Sequence, residues 1–546
     1  MRSINVILLL GTLCSCSPKP EADMVIHGKI WTGNPNQPIA EAMAVKGDSI
    51  LAVGKKNEID KWQGDNTAQI NAKEGQLIVP GFIDTHTHFV EGGFRLSSVQ
   101  LRDAKTQQEF IKRIKDYVAT VPSGTWIVGG DWDHQNWGGN MPERDWIDSI
   151  SPLNPVWINR LDGHMKLGNS FALKAAGIDD NVKNVAGGTI DRNKKGKVTG
   201  IFRDNAQGLI DSVVPEPSAE QQDKALDAAM QYVASKGVTS AHNMFGYEKA
   251  LARAHDQGRL ITRIYCGMAL SNWKVLDREI RKEGRGDAWL GYGLLKGFVD
   301  GSLGSHTAAF FKPFVDSPSD SGFFITPEDE LYRSIKSADS AQLQVTVHAI
   351  GDKAIHTLLN IFERVEKENG PRDRRFRMEH VQHIHPADIP RFKTLGVIAS
   401  MQPYHAIDDG RFAEKSIGYE RSKTTYAFKS LLDAGATLAF GSDWFVAPPT
   451  PLEGIYAAVT RRTLDDKNPA GWFPEQKINV QQALEAYTIN AAFASFEEKI
   501  KGSLEPGKKA DFVILEKDIL TINPFEIRNV KVIWTVVGGK PVYELK

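Results

Sequence analysis

The sequence predicts an α/β fold, a (β/α)8 TIM-type barrel with a small composite β-sandwich domain built from the N- and C-terminal segments. Amphipathic stretches repeatedly end at a glycine that is followed at once by a short apolar strand, as at Gly237, Gly396 and Gly435. Glycine is a common helix C-cap, so this alternation indicates helices between parallel strands. The apolar strands of the central region number eight, which is the number that closes such a barrel.

The composition is that of an ordinary globular protein. The chain has 546 residues, of which 41% are hydrophobic and 24% are charged, and its formal net charge is −1. A chain of this length can form one large domain and a smaller one. Because there is no overall basic field, we expect no nucleic-acid partner. The sequence predicts no particular oligomeric state.

The first residues resemble the signal peptide of a bacterial lipoprotein. Arg2 precedes an apolar run over residues 4–13 that is too short to span a bilayer as a helix. The run closes on Leu13-Cys14-Ser15-Cys16, which resembles a lipobox with Cys16 at the lipidated position. We therefore expect residues 1–16 to be a signal peptide. The protein would be exported, face the periplasm and touch the membrane only through the lipid on Cys16.

Short strands lie at both ends of the chain, outside the barrel region. The strands in residues 23–78 and 499–546 are too few to be stable alone, so we expect the two segments to pack together as the composite β-sandwich domain. Residues 79–498 form the barrel, with predicted strands at 83–88, 238–242, 264–268, 294–299, 344–348, 376–380, 397–401 and 438–443. The stretch from about 95 to 217 is predicted to be an insertion between the first two strands, either a substrate-contacting lid or a surface elaboration.

Metal-binding side chains fall at the ends of the predicted barrel strands, where barrel enzymes collect their catalytic groups. His86 and His88 are separated by one residue. A strand therefore points both imidazoles the same way, as two ligands of one metal ion require. His348, His380 and Asp443 end three further strands. Singly, either histidine could be a hydrogen-bonded core residue and the aspartate could cap a turn, but their joint placement indicates a metal site.

Lys296 lies within an apolar predicted strand, where a bare ammonium group would be costly to bury. Its amine could react with carbon dioxide to give a carbamate, an anion with two oxygens that can bridge two metal ions. The alternative is an ion pair with a carboxylate such as Asp300. The residues alone leave both interpretations open.

Six motifs together resemble the amidohydrolase superfamily, specifically its family-3 branch, which includes N-substituted formamide deformylase-like enzymes. The motifs are PGFIDTHTH at 80–88, KGFVDGS at 296–302, HAIGD at 348–352, RMEHVQ at 377–382, GSDW at 441–444 and GSLEPGKKAD at 502–511. They span nearly the whole chain after the leader. The resemblance implies a metal-dependent hydrolase that acts on carbon–nitrogen bonds other than peptide bonds.

The resemblance also implies roles for single residues. The more buried of two divalent metal ions would be held by His86, His88 and Asp443, and the more exposed one by His348 and His380, with N-carboxylated Lys296 bridging the two. Zinc is the default metal for this ligand set, although iron, manganese or nickel would also fit. A hydroxide bound by the metals would be the nucleophile, and Asp443 would take its proton and return it to the leaving amine.

Two other functions remain open at this point. One is deamination of a ring amine with a single metal ion, although such relatives usually lack the bridging lysine. The other is a non-catalytic binding lipoprotein that has kept the barrel, against which the intact ligand set argues. The sequence contains no Gly-x-Ser-x-Gly elbow, phosphate loop or His-Glu-x-x-His motif, which excludes the commonest rival hydrolases and nucleotide-binding proteins.

Side chains near the expected pocket give a prediction for the substrate. Candidate substrate-binding residues are Trp132, His164, His306 and Trp444. Two residues depart from the pattern of the resembled family: His306 occupies a position where arginine is common, and Phe445 occupies one where proline is common. The aromatic residues favour a small neutral amide with an apolar or aromatic group. The alternative is an anionic substrate, held by Arg160 or Arg203 in the insertion.

Overall fold

The structure is a computed structural model and describes residues 21–546. The predicted signal peptide, with Cys14 and Cys16, lies outside the described residues. The described part of the chain contains three β-sheets. Within residues 21–546, no helix combines the length and the apolar character that crossing a membrane requires.

The strands of the first half of the chain belong to the N-terminal segment, the start of the barrel and the insertion. They are β1 (Met24–Trp31), β2 (Ile39–Lys46), β3 (Ser49–Gly54), β4 (Ala68–Asn71), β5 (Leu77–Pro80), β6 (Phe82–Thr87), β7 (Ile127–Trp132), β8 (Val156–Arg160), β9 (Met165–Gly168), β10 (Gly188–Arg192) and β11 (Val198–Asp204). The later strands complete the barrel and form the C-terminal segment. They are β12 (Val238–Asn243), β13 (Arg263–Ala269), β14 (Leu290–Phe298), β15 (Gln344–Ala349), β16 (Arg377–His380), β17 (Ile398–Met401), β18 (Leu438–Phe440), β19 (Phe512–Leu515), β20 (Val532–Val537) and β21 (Lys540–Glu544).

The α-helices range from single turns to the long helix that follows β15. In chain order they are α1 (Lys56–Ile59), α2 (Phe89–Arg95), α3 (Gln107–Val118), α4 (Ser170–Ala175), α5 (Gly208–Asp211), α6 (Ala219–Ala234), α7 (Glu248–Asp256), α8 (Trp273–Glu283), α9 (Glu328–Ser340), α10 (Asp352–Asn369), α11 (Ile389–Thr394), α12 (Pro403–Asp409), α13 (Ala413–Ile417), α14 (Tyr419–Ser422), α15 (Phe428–Asp433), α16 (Pro451–Thr460), α17 (Val480–Tyr487) and α18 (Ile489–Phe493).

The barrel strands are parallel and follow one another in the order β6-β12-β13-β14-β15-β16-β17-β18. Backbone hydrogen bonds beyond the last strand nearly close the ring. The N–H of Asp443 donates to the carbonyl of His86 at 2.7 Å, and the N–H of His88 donates to the carbonyl of Trp444 at 2.7 Å. The predicted (β/α)8 barrel is confirmed, and its closing bonds join two of the predicted metal-binding segments.

Helix α10 shows how the outer helices pack on the barrel. Ile355, Leu358 and Phe362 are buried on one face, as the spacing of an amphipathic helix predicts. The ring of Phe362 stacks on Phe376 with centroids 4.3 Å apart. After the next helix, Gly396 has a φ of +61°, which glycine adopts without a steric penalty. The chain can therefore turn directly from α11 into β17.

The strands from the two ends of the chain form one composite sheet. Its order is β21-β20-β19-β5-β1-β2-β3, with β4 paired to β1, and the two ends meet at the antiparallel pair β5 and β19. Ile26 from the first strand shares an apolar cluster with Phe512 and Val536 from the last ones. A buried ion pair, with Arg263 Nε 2.7 Å from Asp511 Oδ2, ties this sheet to the barrel.

The residues between β6 and β12 form a separate five-stranded sheet. Its order is β10-β11-β9-β8-β7, in which β7 and β8 are parallel and the other pairs are antiparallel. Trp132, Ile158 and Met165 lie in its apolar core. Side chains that end or follow its strands, including Arg160 and His164, line a cavity over the barrel. The insertion therefore forms part of the wall of the candidate site.

Candidate metal centre

His86, His88 and Asp443 converge at the carboxyl end of the barrel. His86 lies in β6 and His88 directly precedes α2. Asp443 follows β18, and its Oδ1 is 3.4 Å from Nε2 of His86 and 3.4 Å from Nε2 of His88. Three ligand atoms this close can share one divalent ion. The backbone of Asp443 is left-handed, with a φ of +60°, a strained conformation of the kind that clusters at functional sites.

A buried carboxylate orients His86. Nδ1 of His86 donates to Oε2 of Glu379 at 2.6 Å, and neither side chain is exposed to solvent. Arg377 Nη2 lies 2.9 Å from the other oxygen of Glu379. This arrangement leaves Nε2 of His86 unprotonated and available to a metal ion. Burial, and then the charge of Lys296, lowers the pKa of His86 to about 4, so the imidazole is neutral at neutral pH.

Lys296, in β14, is buried beside His86. Its Nζ lies 3.2 Å from Nε2 of His86, and the residue is 2% exposed. Burial lowers the pKa of Lys296 to about 8, so much of the amine is uncharged near that pH. The alternative partner Asp300 is directed elsewhere, because its carboxylate accepts hydrogen bonds from the backbone N–H groups of Ala309 and Gly351.

His348 and His380 lie next to each other at the ends of β15 and β16, with ring centroids 4.4 Å apart. Nε2 of His348 donates to the carbonyl of Gly301 at 2.9 Å, and Nδ1 of His380 donates to Oε1 of Gln402 at 2.8 Å. These bonds leave one unprotonated nitrogen on each ring, as metal binding requires. Burial lowers the pKa of both imidazoles well below the usual range, so both are neutral.

His405 is a further histidine at this site, and none of the sequence motifs predicts it. It lies in the first turn of α12 and is 7% exposed. Its ligand atom is within 4.8 Å of those of His380 and Asp443. Within the described chain, its Nε2 is buried and has no hydrogen-bond partner. The sequence feature that points to its position is Gln402-Pro403, directly after the seventh barrel strand. Proline favours the first position of a helix, which places His405 in the first turn of a helix at the carboxyl end of the barrel.

A family model confirms the resemblance that the motifs predict. The model of the amidohydrolase family matches residues 70–543. The chain belongs to the amidohydrolase family. The match runs from the composite sheet through the whole barrel to the last strand, so the amidohydrolase assignment covers every residue of the centre described above.

Similar proteins come from a plant, a bacterium and an archaeon. Protein LONG AFTER FAR-RED 3 of Arabidopsis thaliana is 39% identical over 554 aligned residues, which cover 98% of this chain and 94% of that protein. N-substituted formamide deformylase of Arthrobacter pascens is 26% identical over 95% of this chain and 98% of that enzyme. The crystal structure of an uncharacterized metal-dependent hydrolase from Pyrococcus horikoshii OT3 has a TM-score of 0.74 and 28% identity, covering 92% of this chain and 99% of that chain.

Two candidate substrate-binding residues of this amidohydrolase lie behind the cavity wall. Trp132 is fully buried in the core of the insertion, where its Nε1 donates to the carbonyl of Ile158 at 3.1 Å. Trp444 packs against Phe89 and Tyr232, with ring centroids 6.1 and 5.6 Å away. Neither side chain is among the described residues that line the cavity over the metal ligands. Both are therefore placed to support the wall and not to touch a ligand there.

The other two candidates lie on different cavities. His164 lines the cavity over the metal ligands, with its ring 5.1 Å from that of His348 and its Nδ1 2.6 Å from Oδ1 of Asp204. His306 lines a neighbouring polar cavity and stacks on Phe314 with centroids 4.4 Å apart. His164 is thus placed to meet a ligand beside the candidate metal centre, whereas His306 faces the neighbouring cavity.

The arginines that could hold an anionic substrate are already paired. The cavity over the metal ligands has a volume of about 50 Å³. Arg160 reaches it, but its Nη1 is 2.5 Å from Asp162 and its Nη2 is 3.2 Å from Asp133. Arg203 Nη2 is 2.7 Å from Asp191. Both guanidinium groups are neutralised by carboxylates of the chain, which leaves neither free for a substrate carboxylate.

Proposed function

We propose that this amidohydrolase hydrolyses an amide-type carbon–nitrogen bond, other than a peptide bond, in a small molecule. The observation that carries the proposal is the convergence of His86, His88 and Asp443 beside a cavity at the carboxyl end of the barrel. Lys296 is buried next to this group. Neither a mononuclear deaminase nor a non-catalytic binding protein gives a reason for a buried lysine at this position.

The donor set fits two divalent metal ions, with zinc as the default. Zinc binds imidazole nitrogen and carboxylate oxygen, and the hydrogen bonds of His86, His348 and His380 leave one nitrogen free on each ring. His86, His88 and Asp443 would hold one ion, and His348 and His380 would hold the other. When bound, the ions would lower the pKa of a water molecule towards neutrality and polarise the substrate carbonyl.

Lys296 is proposed to bridge the two ions after reaction with carbon dioxide. Its uncharged amine forms a nitrogen–carbon bond to carbon dioxide. One carbon–oxygen π bond breaks, its electron pair stays on the oxygen to give a carboxylate, and the nitrogen releases one proton. The lowered pKa of about 8 supports this step because only the uncharged amine reacts. The product also replaces a buried ammonium, which is costly in an apolar strand, by an anion that metal ions can pair.

Asp443 is proposed to carry the proton during hydrolysis. Burial alone would raise the pKa of Asp443, but the neighbouring His86 and His88 hold it well below its usual range, so the carboxylate is ionised. It accepts the proton of the attacking water and returns it to the nitrogen as the carbon–nitrogen bond breaks. The products are an amine and a carboxylic acid.

The cavity favours a small substrate without negative charge. Its acidic lining residues are Asp133, Asp162, Asp408, Asp409 and Asp443, against two arginines, Arg160 and Arg411. A volume of about 50 Å³ has room for a few water-sized groups, which suits a formyl or small acyl group. The similarity to N-substituted formamide deformylase of Arthrobacter pascens supports the same substrate class. We therefore propose a small neutral amide.

A hydrolysis screen of the full chain, supplied with zinc and bicarbonate, tests this function. The panel contains neutral N-substituted formamides and N-acyl amides, cyclic imides, carbamates, lactones and anionic N-acyl amino acids. We expect turnover of neutral amides, reduced about 10²- to 10⁴-fold in Asp443→Asn. Preferential turnover of N-acyl amino acids that Arg203→Ala abolishes would overturn the substrate class. No turnover of any member by the zinc-loaded chain would overturn the function.

A further inference from the structure

We infer that His380, His405 and Asp443 form a metal position that does not need Lys296. The inference rests on the proposed function for the first ion, which His86, His88 and Asp443 would hold. It adds a ligand, His405, that no family motif quoted above contains. The position would accept a divalent cation of the zinc type before the carbamate has formed.

The geometry of the three side chains carries the inference. One ligand atom from each of His380, His405 and Asp443 lies within 4.8 Å of the other two. All three residues are buried, with exposures of 3%, 7% and 6%. The rings of His380 and His405 are nearly parallel, at an interplanar angle of 8° and a centroid distance of 6.3 Å. Three ligand atoms this close can share one divalent ion.

The unpartnered nitrogen of His405 is the second observation. Its Nε2 is buried and finds no hydrogen-bond partner among residues 21–546, and the residue lines the cavity over the metal ligands. Leaving a buried polar atom without a hydrogen-bond partner destabilises the folded chain. A cation bound at this nitrogen would supply the missing partner, which explains why a histidine and not an apolar residue is buried here.

One short turn supports both histidines. Gln402 accepts from Nδ1 of His380 at 2.8 Å, and its carbonyl accepts from the backbone N–H of His405 at 3.1 Å. Pro403 lies between them and begins α12. Gln402 therefore orients the ring of His380 through its side chain and positions His405 through its backbone carbonyl.

The donor chemistry matches a divalent ion. Two imidazoles and a carboxylate supply three ligands, and a fourth position stays open for water or substrate, as in catalytic zinc sites. Asp443 can serve this ion as well as the first one because a carboxylate has two oxygens. The position with His348 needs the carbamate of Lys296 to complete its ligands, whereas the position with His405 does not.

Zinc stoichiometry in variants of the full chain tests the inference. Lys296→Ala cannot form the carbamate. After equilibrium dialysis against zinc, we expect elemental analysis to find two zinc ions per chain in this variant. Lys296→Ala/His405→Ala should hold one. The control is Lys296→Ala/His383→Ala, since His383 is also buried with an unpartnered Nε2 among the described residues but lies outside the cluster. It should keep two.

A single zinc ion in Lys296→Ala, or two ions in Lys296→Ala/His405→Ala, would overturn the inference and leave the proposed function standing. No zinc in any variant or in the native chain would overturn both. If Lys296→Ala/His405→Ala does not fold, a zinc-edge anomalous map of Lys296→Ala crystals tests the inference instead. A second peak bonded to Nε2 of His405 supports the inference, and a second peak bonded to His348 but not His405 overturns it.

Discussion

Glu379 contacts the candidate metal ligand His86 without lining the cavity. Its carboxylate accepts the Nδ1 proton of His86 at 2.6 Å and is itself held by Arg377. A carboxylate in this position fixes the ring orientation and makes the opposite nitrogen a better metal ligand. The contribution of Glu379 can therefore be measured as zinc affinity.

Glu379→Gln should weaken the binding of the first zinc ion about tenfold to hundredfold, because a neutral amide is a poorer acceptor for the His86 proton. Titration against a chromophoric chelator measures the affinity. Glu498→Gln is the matched control, since Glu498 pairs with Arg375 at 2.9 Å in a similar ion pair that does not contact His86. An affinity equal to that of the native chain in Glu379→Gln would show that His86 binds metal without this support.

Formation of the Lys296 carbamate should become faster as the pH rises. Burial places the pKa of Lys296 at about 8, so the uncharged fraction grows about tenfold per pH unit below that value and levels off above it. The measurement is the appearance of a carbamate carbon-13 signal at a fixed concentration of dissolved labelled carbon dioxide.

Two lysine variants make the carbamate measurement specific. Lys296→Met should lose the signal. Lys501→Met should keep it, because Lys501 is equally buried but is paired with Glu497 at 2.8 Å. A rate that does not change between pH 6 and pH 9, or a signal that survives Lys296→Met, would contradict carbamylation of this amine.

Single residues differ in how far the sequence predicts their surroundings. The strand ends predict where His86, His348 and His380 point, because the period of a strand and the closure of the barrel are set locally. The pairing of Arg160 with Asp162 depends on how two segments of the insertion meet. The approach of His405 to Asp443 depends on the first turn of a helix after another strand. Neither follows from local periodicity.

Among the elements, the eight barrel strands occur where the sequence predicts them, but their ends shift. The predicted strand 438–443 is shorter, because β18 ends at Phe440 and the N–H of Ser442 donates to Oδ1 of Asp84 at 2.8 Å. The predicted strand 294–299 begins earlier, at Leu290, where it pairs with Ile264 of β13. The sequence predicts the insertion only as a segment, since its short strands are defined by their pairing with one another.

The insertion should respond differently to changes in its core and in its cavity face. Trp132→Phe keeps the buried apolar ring but removes the hydrogen bond to the carbonyl of Ile158, which should destabilise the chain by about 1–3 kcal/mol and leave KM within about twofold. His164→Ala, at the cavity, should raise KM for the amide substrate. Urea unfolding and steady-state kinetics measure the two effects. A rise in KM in Trp132→Phe as large as that in His164→Ala would place Trp132 against the substrate.

At the scale of the whole molecule, the two ends of the chain position the first strand that carries a candidate metal ligand. Strand β5 of the composite sheet runs through Gly81 directly into β6, and the N–H of Gly81 donates to the carbonyl of Asp511 at 2.9 Å. The C-terminal segment thus holds the start of the strand that carries His86. The barrel supplies the candidate metal ligands, the insertion supplies part of the cavity wall, and the composite sheet fixes how β6 enters the barrel.

Cys16 remains the predicted attachment point of the whole protein to a membrane. Expressed from the full sequence in bacteria, the chain should fractionate with membranes and incorporate labelled fatty acid. Cys16→Ser should abolish both, because the thiol is the acceptor of the lipid, whereas Cys14→Ser should leave both unchanged. The reverse pattern would place the lipid on Cys14, and loss of neither would contradict the lipoprotein prediction.

Metal-dependent hydrolysis is tested most directly by the release of amine from a neutral N-substituted formamide, measured on one preparation of the full chain before chelation, after chelation and after zinc is restored. We expect release by the native chain, loss of about 10²-fold or more on chelation, and recovery with zinc in the presence of bicarbonate. Asp443→Asn should stay inactive throughout. Amine release that persists unchanged after complete metal removal, or that Asp443→Asn retains in full, would contradict a metal centre built on His86, His88 and Asp443.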